Sequence, residues 1–182
     1  PINFLTNPGE KKFLISGLHS GGKSFFLRCL FLMSLTGQMG LNMPGEEITL
    51  PSYERIYSYK SKDSHGLGRL ETELTDLQGI CNQAGEKDAI FIDEFLDSTD
   101  SEISSQIGPV VLEKLVSSKA TVFVVSHKNT NYSQLAQDGW TIMSPAYEIV
   151  EGKVKPTLEL KRGPPEAEIN RRYIMDKYGE FF

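Results

Sequence analysis

Three short apolar runs organise the chain: Phe13-Leu14-Ile15 leading into Ser16, Ala89-Ile90-Phe91-Ile92, and Thr121-Val122-Phe123-Val124-Val125. Runs of this length without polar alternation are typical of strands buried on both faces, as in parallel sheets. Between them the period lengthens. Lys23 to Thr36 reads as a helix apolar nearly all round, which predicts that it is buried. Leu70 to Ala84 is amphipathic, with Leu70, Leu74, Leu77 and Cys81 on one stripe. Ser101 to Ser118 carries Ile103, Ile107, Val111 and Leu115 at helical spacing, with Gly108 and Pro109 placed to kink or split it. Glu54 to Lys60 alternates and reads as a further strand, and Asn131 to Gln137 as a short helix.

Glycine and proline mark the gaps. Gly37 to Ser52, with Gly40, Pro44, Gly45 and Pro51, is a loop. From Thr141 onward, short strands around Tyr147–Val150 and Val154–Leu160 are joined at Glu151-Gly152-Lys153, which predicts a hairpin. Pro164-Pro165 then separates a charged helix, about Ala167 to Lys177. Strand alternating with helix predicts an α/β fold: a mainly parallel sheet sandwiched by helices, with a C-terminal β-hairpin and terminal helix. There is no internal repeat and no low-complexity tract.

Composition narrows the class. A chain of 182 residues is one domain, here 1–163, with 164–182 as a helical extension of it. The 39% hydrophobic and 24% charged fractions exclude a disordered chain. Two cysteines, Cys29 and Cys81, exclude a disulfide scaffold and fit a reducing compartment: cytoplasmic, or nuclear in a eukaryote. The most apolar run, Phe25 to Leu35, is broken by Arg28 and falls short of the ~20 residues that span a bilayer, so no membrane partner is expected. No secretory signal pattern opens the chain, and its start at Pro1 leads us to expect a piece of a longer protein. Nineteen basic against 24 acidic residues, net −5, argue against gripping DNA by bulk charge.

The chemistry sits at the strand ends. Gly17-Leu18-His19-Ser20-Gly21-Gly22-Lys23-Ser24 matches G-x-x-x-x-G-K-[ST], the phosphate-binding P-loop, between a buried strand and a helix. Its glycines let backbone N–H groups turn toward phosphate oxygens, and the helix N-terminus favours negative charge. Lys23 is placed for the β- and γ-phosphates and the Ser24 hydroxyl for Mg²⁺. Gly17 through Phe25 is thus the candidate ATP cradle. About 70 residues on, four apolar residues end in Asp93-Glu94. A buried strand ending in Asp delivers a carboxylate to the sheet's C-terminal edge, where it suits Mg²⁺; Glu94 is placed to deprotonate a water. Alone, such a pair is more often an acidic turn. Ser126-His127 follows the third run; a lone histidine there usually caps a strand, but beside the other two strand ends it suits a neutral donor to a γ-phosphate. Gly66-Leu67-Gly68 opens the second long helix as a weak anion site.

In this order the four elements resemble the ABC-type ATPases, and more narrowly the C-terminal ATPase domain of the MutS DNA mismatch-repair family. The narrower resemblance rests on Gly21-Gly22 before Lys23-Ser24, on Gly40-Leu41-Asn42-Met43-Pro44-Gly45 (the family's Gly-x-x-Val-Pro-Ala loop), and on Arg55-Ile56-Tyr57-Ser58 (its Arg-Ile-Phe-Thr strand). Glu73 falls on a glutamate common in the family's signature segment, and Asp93-Glu94 with Thr99 fits its Asp-Glu-x-x-x-Gly-Thr segment. The resemblance runs from about Lys12 to Leu135. It departs at Leu18-His19, where the family has Pro-Asn, at Gly68, which replaces the signature serine, and at Phe95-Leu96-Asp97-Ser98, which replaces a glycine-rich turn. The resemblance therefore implies a divergent member.

It also implies a function: Mg²⁺-dependent ATP hydrolysis, with ATP held between two such domains. Lys23, Ser24, Asp93, Glu94 and His127 would act in cis and the turn at Gly66 and Gly68 in trans. The partner would be a second copy or a paralogue, and DNA would be met through parent domains absent here. The alternative is a nucleotide-gated dimerisation module with negligible turnover. Chromosome-maintenance ATPases rank lower, because only about 40 residues, without heptads, separate Ser24 from Gly66. So does a transporter subunit, for want of a Leu-Ser-Gly-Gly-Gln signature.

Overall fold

The computed structural model describes residues 4–18, 21–45, 47–60, 67–96, 101–127 and 131–179, with the backbone alone at 67–69, 101 and 178. The elements in chain order are β1 (Lys12–Ser16), α1 (Lys23–Gln38), β2 (Arg55–Lys60), α2 (Leu67–Gln83), β3 (Asp88–Asp93), α3 (Ser101–Ser117), β4 (Thr121–Ser126), α4 (Tyr132–Gln137), β5 (Thr141–Val150), β6 (Lys153–Arg162) and α5 (Ala167–Tyr178). They build one six-stranded sheet in the order β2-β3-β4-β1-β5-β6. All neighbours pair in parallel except β5 and β6.

The three apolar runs are three adjacent inner strands, β3, β4 and β1, and their alternate residues feed two different cores. Phe13, Ile15, Phe91, Phe123, Val125 and Met143 meet Phe26 and Leu27 of α1 on one face. There the Phe123 ring stacks between Phe13 at 4.9 Å and Phe91 at 5.0 Å, binding β1, β4 and β3 side to side. Leu14, Ile90, Ile92, Val122, Val124 and Ile142 meet Leu77 of α2, Leu112 and Leu115 of α3 and Leu135 of α4 on the other. A strand between two helical layers has no solvent face, which is why its sequence shows no alternation.

Three expectations need correction. α1 is not buried all round: Phe25 and Leu32 are each 57% exposed. A helix lying on one sheet face covers only one of its stripes, whatever its composition. Pro109 lies inside a continuous α3 and does not split it. The expected strand at Tyr147–Val150 is the second half of a longer β5. Its first three residues run parallel to β1, with Phe13 opposite Thr141 and Ile15 opposite Met143; from Met143 to Val150 it runs antiparallel to β6. The register shifts between Pro145 and Tyr147, where proline has no N–H to give to a ladder.

The hairpin turn at Glu151-Gly152 has both residues at positive φ, 53° and 79°, the geometry that matches strand twist in two-residue turns. α5 packs on this hairpin. Asp176 Oδ2 accepts from Val154 N–H at 2.7 Å, Arg172 donates to the Gly152 carbonyl at 2.8 Å, and Tyr173 meets Tyr147 at 5.6 Å. No helix among the described residues is long and apolar enough to cross a membrane.

Candidate functional site

Parallel pairing puts the C-terminal ends of β1, β4 and β3 at one sheet edge. Ser16 stands opposite Ser126, and Ile92 opposite Val124. The glycine-rich loop leaves β1, Ser126-His127 leaves β4, and Asp93-Glu94 leaves β3. Because β4 lies between the other two, His127 emerges between the loop and the acids.

Gly22 caps α1 at φ 78°, a left-handed conformation that glycine adopts without steric cost, and its carbonyl accepts Phe26 N–H. This cap turns Lys23 inward. Its side chain is 1% exposed, and Nζ donates to the carbonyls of Gly17, at 2.8 Å, and Leu18. A buried ammonium requires such acceptors, and here the loop supplies them itself. The next residue, Ser24, donates from Oγ to Asp93 Oδ1 at 2.7 Å, across 69 residues of sequence. The other carboxylate oxygen, Asp93 Oδ2, is buried and receives no hydrogen bond among the described residues; the Arg28 guanidinium stands 3.6 Å from it.

Glu94 is half-buried, at φ 59°, and its Oε1 lies 3.3 Å from Lys60 Nζ of β2. A cavity of about 170 Å³ beside Asp93, lined in part by Arg28 and Lys60, opens between α1 and β2. His127 Nδ1 is 3.3 Å from the Gly17 carbonyl. A carbonyl only accepts, so this contact uses the Nδ1–H donor, and Nε2 of the neutral ring is then an acceptor. To donate to a phosphate from Nε2, the ring must be cationic; otherwise it must leave Gly17.

The loop is packed from behind by the hairpin. A Cβ added at Gly21 would lie 2.7 Å from Pro145 Cγ and 3.1 Å from Tyr147 Oη; one at Gly22 would lie 3.1 Å from Leu158. Tyr147 Oη is buried without a hydrogen-bond partner among the described residues, and burial raises its pKa.

Of the residues singled out from sequence, Gly17, Leu18, Lys23 and His127 form one hydrogen-bonded group and Ser24 with Asp93 another, the two being neighbours through the Lys23–Ser24 peptide. Glu94 is next to them in the chain and pairs with Lys60. Leu18 and Gly21 lie in the loop, while Phe25 points out from α1. His19, Ser20 and Gly66 lie outside the described residues, and Gly68 is the second residue of α2 rather than part of a turn before it. Sequence reasoning missed Arg28, Lys60 and the Pro145–Tyr147 corner. Arg28 left a signal, since a lone cation one turn beyond Ser24 in an apolar helix calls for a partner. The other two left none.

The MutS domain V model matches residues 13–161. The chain belongs to the MutS domain V family. Among its relatives is the mitochondrial DNA mismatch repair protein MSH1 of Arabidopsis thaliana, 32% identical over 85% of this chain and 14% of that protein. Endonuclease MutS2 of Gemmatimonas aurantiaca is 25% identical over 91% of this chain and 20% of its own length. DNA mismatch repair protein MutS of Thermotoga neapolitana is 30% identical over 69% of this chain and 16% of its own length. The chain therefore spans between about a seventh and a fifth of these relatives. The matched span in domain V takes in every candidate residue, from the loop after β1 through the β5–β6 hairpin.

Proposed function

We propose that this domain binds ATP with Mg²⁺ and hydrolyses it, as the ABC-type ATPase domain of a MutS-like protein. The Ser24–Asp93 hydrogen bond carries the reading. It joins the two groups that a P-loop ATPase uses for Mg²⁺, at the sheet edge where the buried Lys23 also lies. The residues fit the ion. Asp93 has one oxygen on the Ser24 hydroxyl and one buried oxygen, faced by the Arg28 guanidinium but without a hydrogen bond among the described residues, that an incoming cation would satisfy. No group of three or more His, Cys, Asp or Glu among the described residues could cage a metal. This suits Mg²⁺, which keeps waters and leans on substrate phosphates. Bound there, Mg²⁺ would offset the negative charge of the β- and γ-phosphates.

The chain's own groups would do the rest. Lys23 exchanges its loop carbonyls for phosphate oxygens. The loop N–H groups and the start of α1 bind the anion. Glu94 releases Lys60 and accepts the proton of the attacking water. His127 stands beside Gly17 to contact the terminal phosphate.

In this proposal the start of α2 faces the ATP of a second domain V, from another copy or a paralogue, with Gly66 and Gly68 as the contacts that the resemblance implies. ATP closes the pair and hydrolysis opens it, a ligand-driven population shift. DNA contact belongs to parent domains outside this chain, in an intracellular compartment where Cys29 and Cys81 stay reduced. The domain comprises 1–163, with 164–182 as its helical extension. We place it as a divergent member because of Leu18-His19, Gly68 and Phe95-Leu96. Gly68 also favours the second reading, a module that binds ATP and dimerises without appreciable turnover.

The test is the ATPase rate per chain against protein concentration, with Mg²⁺ and ATP in excess and Glu94→Gln as the blank. A per-chain rate that climbs with concentration is expected. A rate that is flat but above the blank would remove the trans role of α2. A rate equal to the blank, with ATP bound, would favour the gated module.

A further inference from the structure

The turn that presents Glu94 is strained and heavily tied. Glu94 and Leu96 sit at φ 59° and 52°, conformations that non-glycine residues keep only where the surroundings over-determine them. Phe95 N–H donates to the Val125 carbonyl at 3.0 Å. The Leu96 side chain is buried in the core, and its carbonyl accepts from Ser104 Oγ of α3 at 3.2 Å. Its N–H donates to Glu73 Oε1 of α2 at 3.2 Å. Glu73 is 1% exposed. A carboxylate at that depth is costly as packing and makes sense through the groups it bonds.

We infer that Glu73 is a positioning residue: it fixes the turn that aims Glu94 and ties that aim to the position of α2. The inference rests on the proposed role of Glu94. Glu73 lies two turns into the helix whose start is proposed to meet the partner domain, and its bond to Leu96 is two residues from Glu94. A shift of α2 along its axis therefore reaches the turn that carries the hydrolytic carboxylate through the Glu73–Leu96 hydrogen bond. The link runs within one chain, between the surface that senses a partner and the group that acts on water.

The experiment compares Glu73→Gln with Glu73→Asp in this chain. Glutamine keeps an oxygen that accepts from Leu96 N–H; aspartate keeps the charge but withdraws the oxygen by one methylene. E73Q should turn over within about twofold of the unaltered chain. E73D should lose about 10- to 100-fold in kcat, the scale of a misplaced catalytic group, with KM for ATP within about twofold. Hydrogen exchange at the Leu96 amide should quicken at least about tenfold in E73D, with β3 amides unchanged. If E73D fails to fold, Glu73→Met, of similar volume and without an acceptor, takes its place. Unaltered kcat or unaltered Leu96 exchange in the shortened variant would overturn the inference. So would an E73Q that is as slow as E73D while Leu96 stays protected. Exchange reads the tie without turnover, so an inactive unaltered chain would sink the role of Glu94 and leave exchange to decide the tie.

Discussion

Lys23 shows what a single residue contributes here. Its ammonium is buried, held by two carbonyls of its own loop, and one residue away from the Ser24–Asp93 bond. In the proposed function it is a preformed cation awaiting an anion. Lys23→Ala should therefore weaken ATP binding by about a hundredfold in calorimetry, the worth of one or two charge-assisted hydrogen bonds. The thermal midpoint, followed alongside, separates this from unfolding, because two loop carbonyls also lose their donor. Unchanged affinity in a folded variant would refute the P-loop assignment. The two acids at the site carry their own cations. Arg28 stands by Asp93 and Lys60 by Glu94, so the proposed ion and attacking water would compete with these cations for the two carboxylates.

At the scale of elements, the β5–β6 hairpin governs the glycine loop. Pro145 and Tyr147 press on Gly17 and Gly21, Leu158 on Gly22, and α5 braces the hairpin through Asp176 and Arg172. Gly21 is glycine because its neighbour is a rigid ring 2.7 Å from where a Cβ would stand. Gly21→Ala should push the loop off its geometry and weaken ATP binding about tenfold. Pro145→Ala in the same chain should restore part of the loss, since contacting residues couple in a double-mutant cycle. Strict additivity would mean that the hairpin does not shape the loop. The terminal helix is thereby accounted for: α5 packs on the hairpin that backs the site.

Across the whole molecule, Glu10 before β1 and Arg162 at the end of β6, 152 residues apart, are joined by two hydrogen bonds at 2.7 and 2.8 Å. The Arg162 hydrogen bonds hold the Glu10 carboxyl at about 2, below its ordinary 4.5. The folded pKa is depressed, so the pair stabilises the fold above about pH 4.5, and that contribution drains away as pH falls toward about 2. Arg162 is 44% exposed, so solvent screening holds the contribution to roughly 1 kcal/mol or less. Denaturant midpoints of the unaltered chain and Arg162→Ala should differ at pH 6 and converge near pH 2. A gap that persists at pH 2 would mean that Arg162 acts through packing.

The sequence by itself determined the parts that depend on local order. The unmixed apolar runs marked β1, β3 and β4, because only a strand covered on both faces can dispense with alternation. The spacing of Gly17–Ser24, Asp93-Glu94 and Ser126-His127 marked one sheet edge, because parallel strands must all end there. Their resemblance to MutS domain V was legible for the same reason. What the tertiary structure decided were contacts between distant residues that leave no periodic trace. It set the strand order that puts His127 between the loop and the acids, and it left Phe25 and Leu32 of α1 uncovered. It also paired Arg28 and Lys60 with the two acids, seated Pro145 against Gly21, and bonded Glu73 to Leu96. Local sequence specifies which elements form and what chemistry ends them. Which side chains then touch depends on how the layers close, and only packing across the sheet fixes that.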